Sequence, residues 1–418
     1  MDFNLITTKL MRPVPPTQVV ERLQLYQQLE SGSSMKLVLV SAPAGSGKST
    51  LLASWLERLD RPAAWLSLDA ADNDLSRFLL YLVSALQQIN PDLGTGLPEL
   101  LQAQNPVQPE LIVTRIINDF ARLNQSLILV LDDYHLVTDK AIHEAVEFFL
   151  DHLPPRLCLV IATRSDPPFA LSRLRVRGQL TEVRADLLRF SREEAARFLN
   201  ERLHLELSSQ AIATLEERTE GWIAGLQLAA LSLRGRSDKE RFVERFAGSH
   251  RHLVDYLMDE VLGRQTPEVR LFLQRTSILE RFTASLCRAV SEQPDSSSIL
   301  RQLVDANLFL IALDDERTWY RYHHLFAEFL RHRLAEAEGE EVLELHRRAS
   351  EWLEREGWSD EAIHHALSAN DLERAGQLVE RIAFSLQNTS NNLQLVKYVS
   401  RFPLEMTRLE KEPTSTGA

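Results

Sequence analysis

Two cysteines in 418 residues, Cys158 and Cys287, are too few for a disulfide framework and suit a reducing compartment. Long apolar runs are missing as well. The longest candidate, GWIAGLQLAALSL from Gly221 to Leu233, is shorter than the roughly 20 residues that a membrane-spanning helix needs. The N-terminus has no apolar signal core. Positive charge is in deficit: the formal net charge is −12, which argues against a surface made for the phosphate backbone of nucleic acid. These absences lead to the expectation of a cytoplasmic chain with no membrane partner. Its length is too great for one core, so two to four domains are expected.

The stretch KLVLVSAPAGSGKSTLLASWL, Lys36 to Leu56, carries the first chemistry. Lys36 to Ser41 alternates too little for a half-exposed strand and reads as one buried on both faces, as in parallel sheets covered by helices. A turn of small residues follows, then a helical pattern. Gly45 and Gly47 let backbone N–H groups turn toward phosphate oxygens, where a Cβ would block the approach. Lys48 then reaches the β- and γ-phosphates, Ser49 ligates Mg²⁺, and the helix points its positive end at the anion. The consensus asks for glycine where this chain has Ala42. That position precedes the tight part of the turn, where a methyl group is tolerated. Ala42, Pro43, Ala44, Gly45, Ser46, Gly47, Lys48, Ser49 and Thr50 are therefore the expected nucleotide-binding stretch, for ATP or ADP.

Strand and helix patterns alternate through about the first 185 residues, the mark of an α/β sheet with crossover helices. AAWLSLDA (Ala63 to Ala70) follows the loop. A helix from Leu75 to Gln88 and a loop rich in proline and glycine come next, then a helix from Pro109 to Leu123. SLILVLDD and LCLVIATRSDPP read as strands, with a last short one over Leu180 to Val183. Beyond Asp186 the chain turns helical, starting at SREEAARFL, where Ser191 and Glu194 form a capping box.

SLILVLDDYH places Asp132 and Asp133 at the C-terminal edge of a buried strand, where open parallel sheets bind ligands. Asp132 is expected to hold the Mg²⁺ shell, and Asp133 to orient or deprotonate the attacking water. Arg164, ending LCLVIATR, either senses the γ-phosphate or pairs with Asp166.

These residues resemble the nucleotide-binding part of MalT-type, large LuxR-like transcription regulators, members of the STAND class of signal-transducing ATPases. The matching stretches are TTKLMRPVPP, VSAPAGSGKSTLLASWL, ILVLDDYHLV, LVIATRSDPP, LRFSREEAARFL, TEGWIAGLQLAALSL, FLQRTSILERFTASLC and YRYHHLFAEFLRHRL. They run in order over roughly residues 7 to 380. In that family Ala-Pro-Ala-Gly is usual in the loop.

The resemblance implies an α/β P-loop NTPase domain over 1–185, with a parallel sheet and helices on both faces. A small all-α helical domain would cover 186–245, a winged-helix domain 246–338 and a helical, repeat-like arm 339–405. A disordered polar tail over 406–418 is read from composition. The resemblance also implies that Gly221 to Ala229 lies near the nucleotide, although Gln227 replaces the proline of the family's Gly-x-Pro motif. Of an Arg-x-Arg-Leu pattern near the start, only Arg22 is present. His323 falls where a winged-helix histidine touches the ADP β-phosphate.

The family's activators end in a helix-turn-helix, and no basic recognition helix is legible here. The expectation is a shortened regulator, a cloned fragment, or a stand-alone switch. Three functions stay open. One is a slow ATPase switch, ADP-locked at rest and ATP-activated to self-associate in response to an unknown inducer or regulatory protein. The second is an AAA-like motor that remodels a protein partner. The third is a DNA binder through the winged helix, which the acidic balance disfavours, so direct DNA binding is not expected.

Overall fold

The computed structural model describes residues 5–102, 109–122, 125–248, 250–336 and 339–386. The expected tail, 406–418, and residues 387–405 of the expected arm lie outside them. The chain divides into two units, Met1–Leu253 with Leu303–Phe309, and Val254–Gln302 with Leu310–Ala418.

The first unit is built on five parallel strands in the order β2-β3-β4-β1-β5: β1 Leu37–Ser41, β2 Ala63–Ser67, β3 Leu127–Asp132, β4 Leu157–Thr163 and β5 Leu180–Arg184. Every residue of β1, β3 and β4 is buried. The reason is the period of two in a strand, which sends successive side chains to opposite faces. Leu37, Leu39, Leu129, Leu131, Leu159 and Ile161 feed one core, together with Phe78, Ile112, Ile116 and Phe149 from three helices. Val38, Val40, Ile128, Val130, Val160 and Ala162 feed the other, with Leu29, Leu52 and Trp55. An apolar run unbroken by polar residues is what a strand between two cores requires.

β2 stops at Ser67, short of the Ala70 to which the sequence pattern extends, because Asp69 and Asp72 form a capping box around a helical turn at Ala70–Asp72. The stretch read as a loop after residue 88 contains a short helix, Leu97–Gln102, which buries Leu97 against the core. The Ser191–Glu194 capping box forms as read. No helix among the described residues is long and apolar enough to cross a membrane. Both cysteines are buried and free, and burial pushes the Cys158 thiol up to about 12, so it is protonated at neutral pH.

The second unit carries the antiparallel pair β6 Leu310–Ala312 and β7 Tyr320–Tyr322. His323 caps the helix His324–Ala335 that follows, and Leu325, Phe326 and Phe329 of that helix are fully buried. Among its described residues it also has helices Pro267–Thr276 and Ala284–Ser291 and, after His324–Ala335, the helices Gly339–Arg355, Ser359–Ser368 and Leu372–Leu386.

Between the helices Gly339–Arg355 and Ser359–Ser368, the Nδ1 atoms of His346 and His365 meet at 2.8 Å, so one ring donates and the other accepts. That bond needs a neutral partner. Burial, reinforced by neighbouring His364, holds His346 down to about 4, and burial with His346 and His364 holds His365 down to about 3. Below the ordinary histidine value the unfolded chain therefore binds protons that the folded one does not. The stabilisation is complete above about pH 6.5 and drains away as pH falls toward 4. We expect a loss on the order of a few kcal/mol over that range, read as a falling melting temperature of the second unit. A His365→Leu variant should show a shallower fall, and an equal pH slope in the two proteins would rule the pair out as its source.

Candidate nucleotide site

The C-terminal edge of the sheet gathers the sequence-selected residues of the first unit. Ala42, wholly buried, packs its methyl group into the core and its N–H donates to the Thr163 carbonyl at 3.2 Å. The loop therefore has room for alanine at that position. Gly45 and Gly47 both adopt left-handed φ, +70° and +78°, a region costly for other residues. At Gly47 a Cβ would also come within 2.9 Å of Ile223 Cδ1. Gly47 caps the helix Lys48–Glu57.

Lys48 is buried, and its Nζ donates to the carbonyls of Ala42 and Pro43 at 2.8 and 2.9 Å. Burial, with Arg164 nearby, lowers its amine to about 8, while Asp133 and Asp132 act in the opposite sense. The four charges thus share one neighbourhood. Ser49 Oγ donates to Asp132 Oδ1 at 3.0 Å, and the Asp133 N–H donates to the same oxygen at 3.1 Å. Burial and the adjacent Asp133 carboxylate raise Asp132 to about 6. A hydroxyl and a carboxylate side by side are hard oxygen donors of the kind Mg²⁺ selects, so these residues fit that ion. Among the described residues there is no cluster of three or more histidine, cysteine or acidic side chains that could hold a metal on its own. Asp133 follows β3 in the left-handed region, φ 56°, with its carboxylate 44 % exposed.

Asp166, one candidate partner for Arg164, receives two bonds from the Arg184 guanidinium. The Arg164 carbonyl accepts from Asn307 Nδ2 at 2.8 Å, and the same amide donates to Ser41 Oγ at 3.1 Å. Arg22 is committed to Glu194 and to the carbonyls of Leu187, Leu188 and Arg189. His323 belongs to the second unit and is 4 % exposed there.

Beside the loop opens a cavity of about 430 Å³, a size suited to a small ligand. It is lined by Gly45, Ser46, Gly47 and Thr50 on one side, by Gln18, Val19 and Tyr26 from the N-terminal segment, and by Phe190, Phe198, Ile223, Ala224 and Gln227. The segment read as lying near the nucleotide is therefore part of the cavity wall. Two contacts escaped the sequence reading. Trp222 Nε1–H donates to the Ala44 carbonyl at 3.0 Å, and the Ala224 N–H donates to the Gly45 carbonyl at 3.1 Å. Trp222 lies within a stretch already singled out, which was its signal, but Asn307 lies in none.

Two family models match the chain: an AAA ATPase domain over residues 17–161 and a MalT winged helix domain over residues 258–342. The HTH-type transcriptional regulator MalT of Serratia proteamaculans is 37 % identical over 412 residues, 98 % of this chain and 45 % of that protein. The serine/threonine-protein kinase PknK of Mycobacterium tuberculosis is 34 % identical over 402 residues, 96 % of this chain and 36 % of that protein. The chain thus spans less than half the length of either relative. Among solved structures, a STAND protein with a tetratricopeptide repeat sensor from Pyrococcus horikoshii covers 93 % of this chain and 54 % of its own, at 18 % identity and a TM-score of 0.42.

Proposed function

Because the chain carries the AAA ATPase and winged-helix modules of MalT-type regulators of the STAND class, we propose that it is a nucleotide-gated switch. ADP holds the resting state, ATP releases a self-associating one, and slow hydrolysis resets it. The observation that carries this reading is the pairing of Lys48 on its loop with the Ser49–Asp132 bond at the end of β3. That arrangement supplies a phosphate-binding amine and a pair of oxygens for Mg²⁺. The ion, when bound, neutralises charge on the phosphates. The chain's own work is to cradle the phosphates with the N–H groups of Gly45 to Thr50, to enclose the base in the cavity, and to orient water from Asp133.

A switch is favoured over a motor because β3 ends at Asp132 and runs on into Asp133, Tyr134 and His135, without the glutamate base of fast hydrolysers. The division into sheet domain (1–185), helical domain (186–245), winged helix (246–338) and arm (339–405) belongs to the same proposal. So does a role for His323 at the ADP β-phosphate, which rests on the resemblance.

The test is the nucleotide that survives purification, together with turnover. Retained ADP and a cycle time of minutes are expected, whereas many cycles per second would favour the motor. His323→Ala should release ADP about ten- to a hundredfold faster, the equivalent of one charge-assisted hydrogen bond, with His324→Ala as the near-silent control. Release at the wild-type rate would return His323 to a packing role.

A further inference from the structure

A phosphate-binding loop works only if its N–H groups face the anion. Because a trans peptide is planar, the carbonyl of one residue and the N–H of the next point in opposite directions. Fixing the carbonyls of Ala44 and Gly45 therefore fixes the direction of the N–H groups of Gly45 and Ser46. In this chain those two carbonyls are gripped from one short segment. Trp222 Nε1–H donates to Ala44 at 3.0 Å and the Ala224 N–H donates to Gly45 at 3.1 Å.

The segment that grips is itself held. Gly221, at φ +68°, accepts from the Phe190 N–H at 2.8 Å, and a Cβ there would lie 2.4 Å from the Phe190 carbonyl oxygen. The Trp222 ring is buried and packs edge-on against Phe309, centroids 5.0 Å apart. Ile223, between the two donors, touches Gly47 at the distance at which any Cβ would collide. The indole thus rests against Phe309 away from the loop, while its N–H bonds the loop.

We infer that Trp222 is a positioning residue for nucleotide binding, acting through the Ala44–Gly45 peptide plane, with Ala224 doing the same for Gly45–Ser46. This rests on the reading of the loop as the phosphate site. It extends that reading by making phosphate affinity depend on a residue 174 positions beyond Lys48 that touches no phosphate.

Trp222→Phe keeps an aromatic ring at the buried position beside Phe309 while removing the Nε1–H donor along with part of the indole's volume. In the full chain, ADP and ATP affinity by calorimetry should fall about five- to fiftyfold, the range for a buried carbonyl deprived of its partner. Any ATPase KM should rise with kcat little changed, because the lost interaction serves substrate and transition state alike. Without nucleotide, backbone amides of residues 44–47 should exchange with deuterium faster while helix Ile223–Leu233 keeps its protection. A merely structural role would not separate the two. Should Trp222→Phe fail to unfold cooperatively, Ala224→Pro removes the second donor from the first turn of its helix, where proline is tolerated, and the same readouts apply. Wild-type affinity together with unchanged loop exchange overturns the inference, as does a loss of protection spread over the whole unit. If wild-type protein binds no nucleotide, the phosphate-site reading falls. The exchange result still decides whether Trp222 orders the loop.

Discussion

Lys48→Ala should weaken ATP and ADP binding by about a hundredfold or more. Two or more charge-assisted hydrogen bonds to phosphate, each worth roughly 1.5–3 kcal/mol, are lost with the amine. The position makes the loss hard to compensate. Lys48 is buried, and the carbonyls of Ala42 and Pro43 hold its ammonium at the mouth of the loop. Burial and Arg164 have already lowered it to about 8, so an anion arriving there meets a cation that is poorly solvated and gains much from pairing. A lysine elsewhere on the surface would not show this. Alanine also leaves two carbonyls without their donor, so the melting temperature must be read beside the calorimetric affinity. Lys48→Met, closer in volume, separates packing from charge. Binding equal to wild type in either variant would sink the assignment of the loop.

Asp133→Asn should separate binding from chemistry, retaining ATP while slowing its hydrolysis by about 10²- to 10⁴-fold, the usual contribution of a general base. The backbone makes this a clean substitution. Asp133 sits at φ 56°, a left-handed conformation that asparagine accepts as readily as aspartate. The bond from its main-chain N–H to the Asp132 carboxylate does not use the Asp133 side chain and survives the change. What changes is one carboxylate, 44 % exposed, together with its contact to His135 Nδ1 at 3.8 Å. Single-turnover hydrolysis at saturating ATP is the measurement. An unchanged rate would leave Asp133 as a turn residue. Asp132→Asn makes an instructive contrast, because its Oδ1 accepts from Ser49. There the expected loss is in the Mg²⁺ dependence of binding.

The parts of this molecule that could be read from sequence are those whose physics is local. β1, β3 and β4 announce themselves because a strand between two cores has no polar face, and the loop does because glycine is needed where φ is positive. The Ser191 cap is a four-residue motif, and the turn from β7 through His323 into its helix shows in the change of spacing from Tyr320 and Tyr322 to Leu325 and Phe329. What escaped depends on distance along the chain. Trp222 reaches Ala44 across 178 residues and Asn307 reaches Ser41 across 266. No pattern within a turn or two encodes such a bond. Asp166 illustrates the same limit. It takes two bonds from the Arg184 guanidinium of β5, eighteen residues further along the chain. Arg22, carried over by resemblance, is tied to Glu194 and three carbonyls, and it lines the cavity with its charge already engaged.

The return of Leu303–Phe309 to the first unit governs how the molecule can be taken apart. A fragment ending near residue 253 would keep the sheet, the loop and Trp222, yet it would lack Asn307, whose amide joins the ends of β1 and β4, and Phe309, against which the indole rests. Such a truncation is therefore not a neutral excision of a nucleotide-binding piece. The chain passes between the units at three points, 253/254, 302/303 and 309/310. After a nick at the first of them, residues 303–309 still belong to the downstream piece and pack with the upstream one, so the two halves should migrate together without denaturant. Dissecting the chain into working parts calls for grafting 303–309 back, or for circularly permuting the chain so that the strap becomes contiguous with the body it serves.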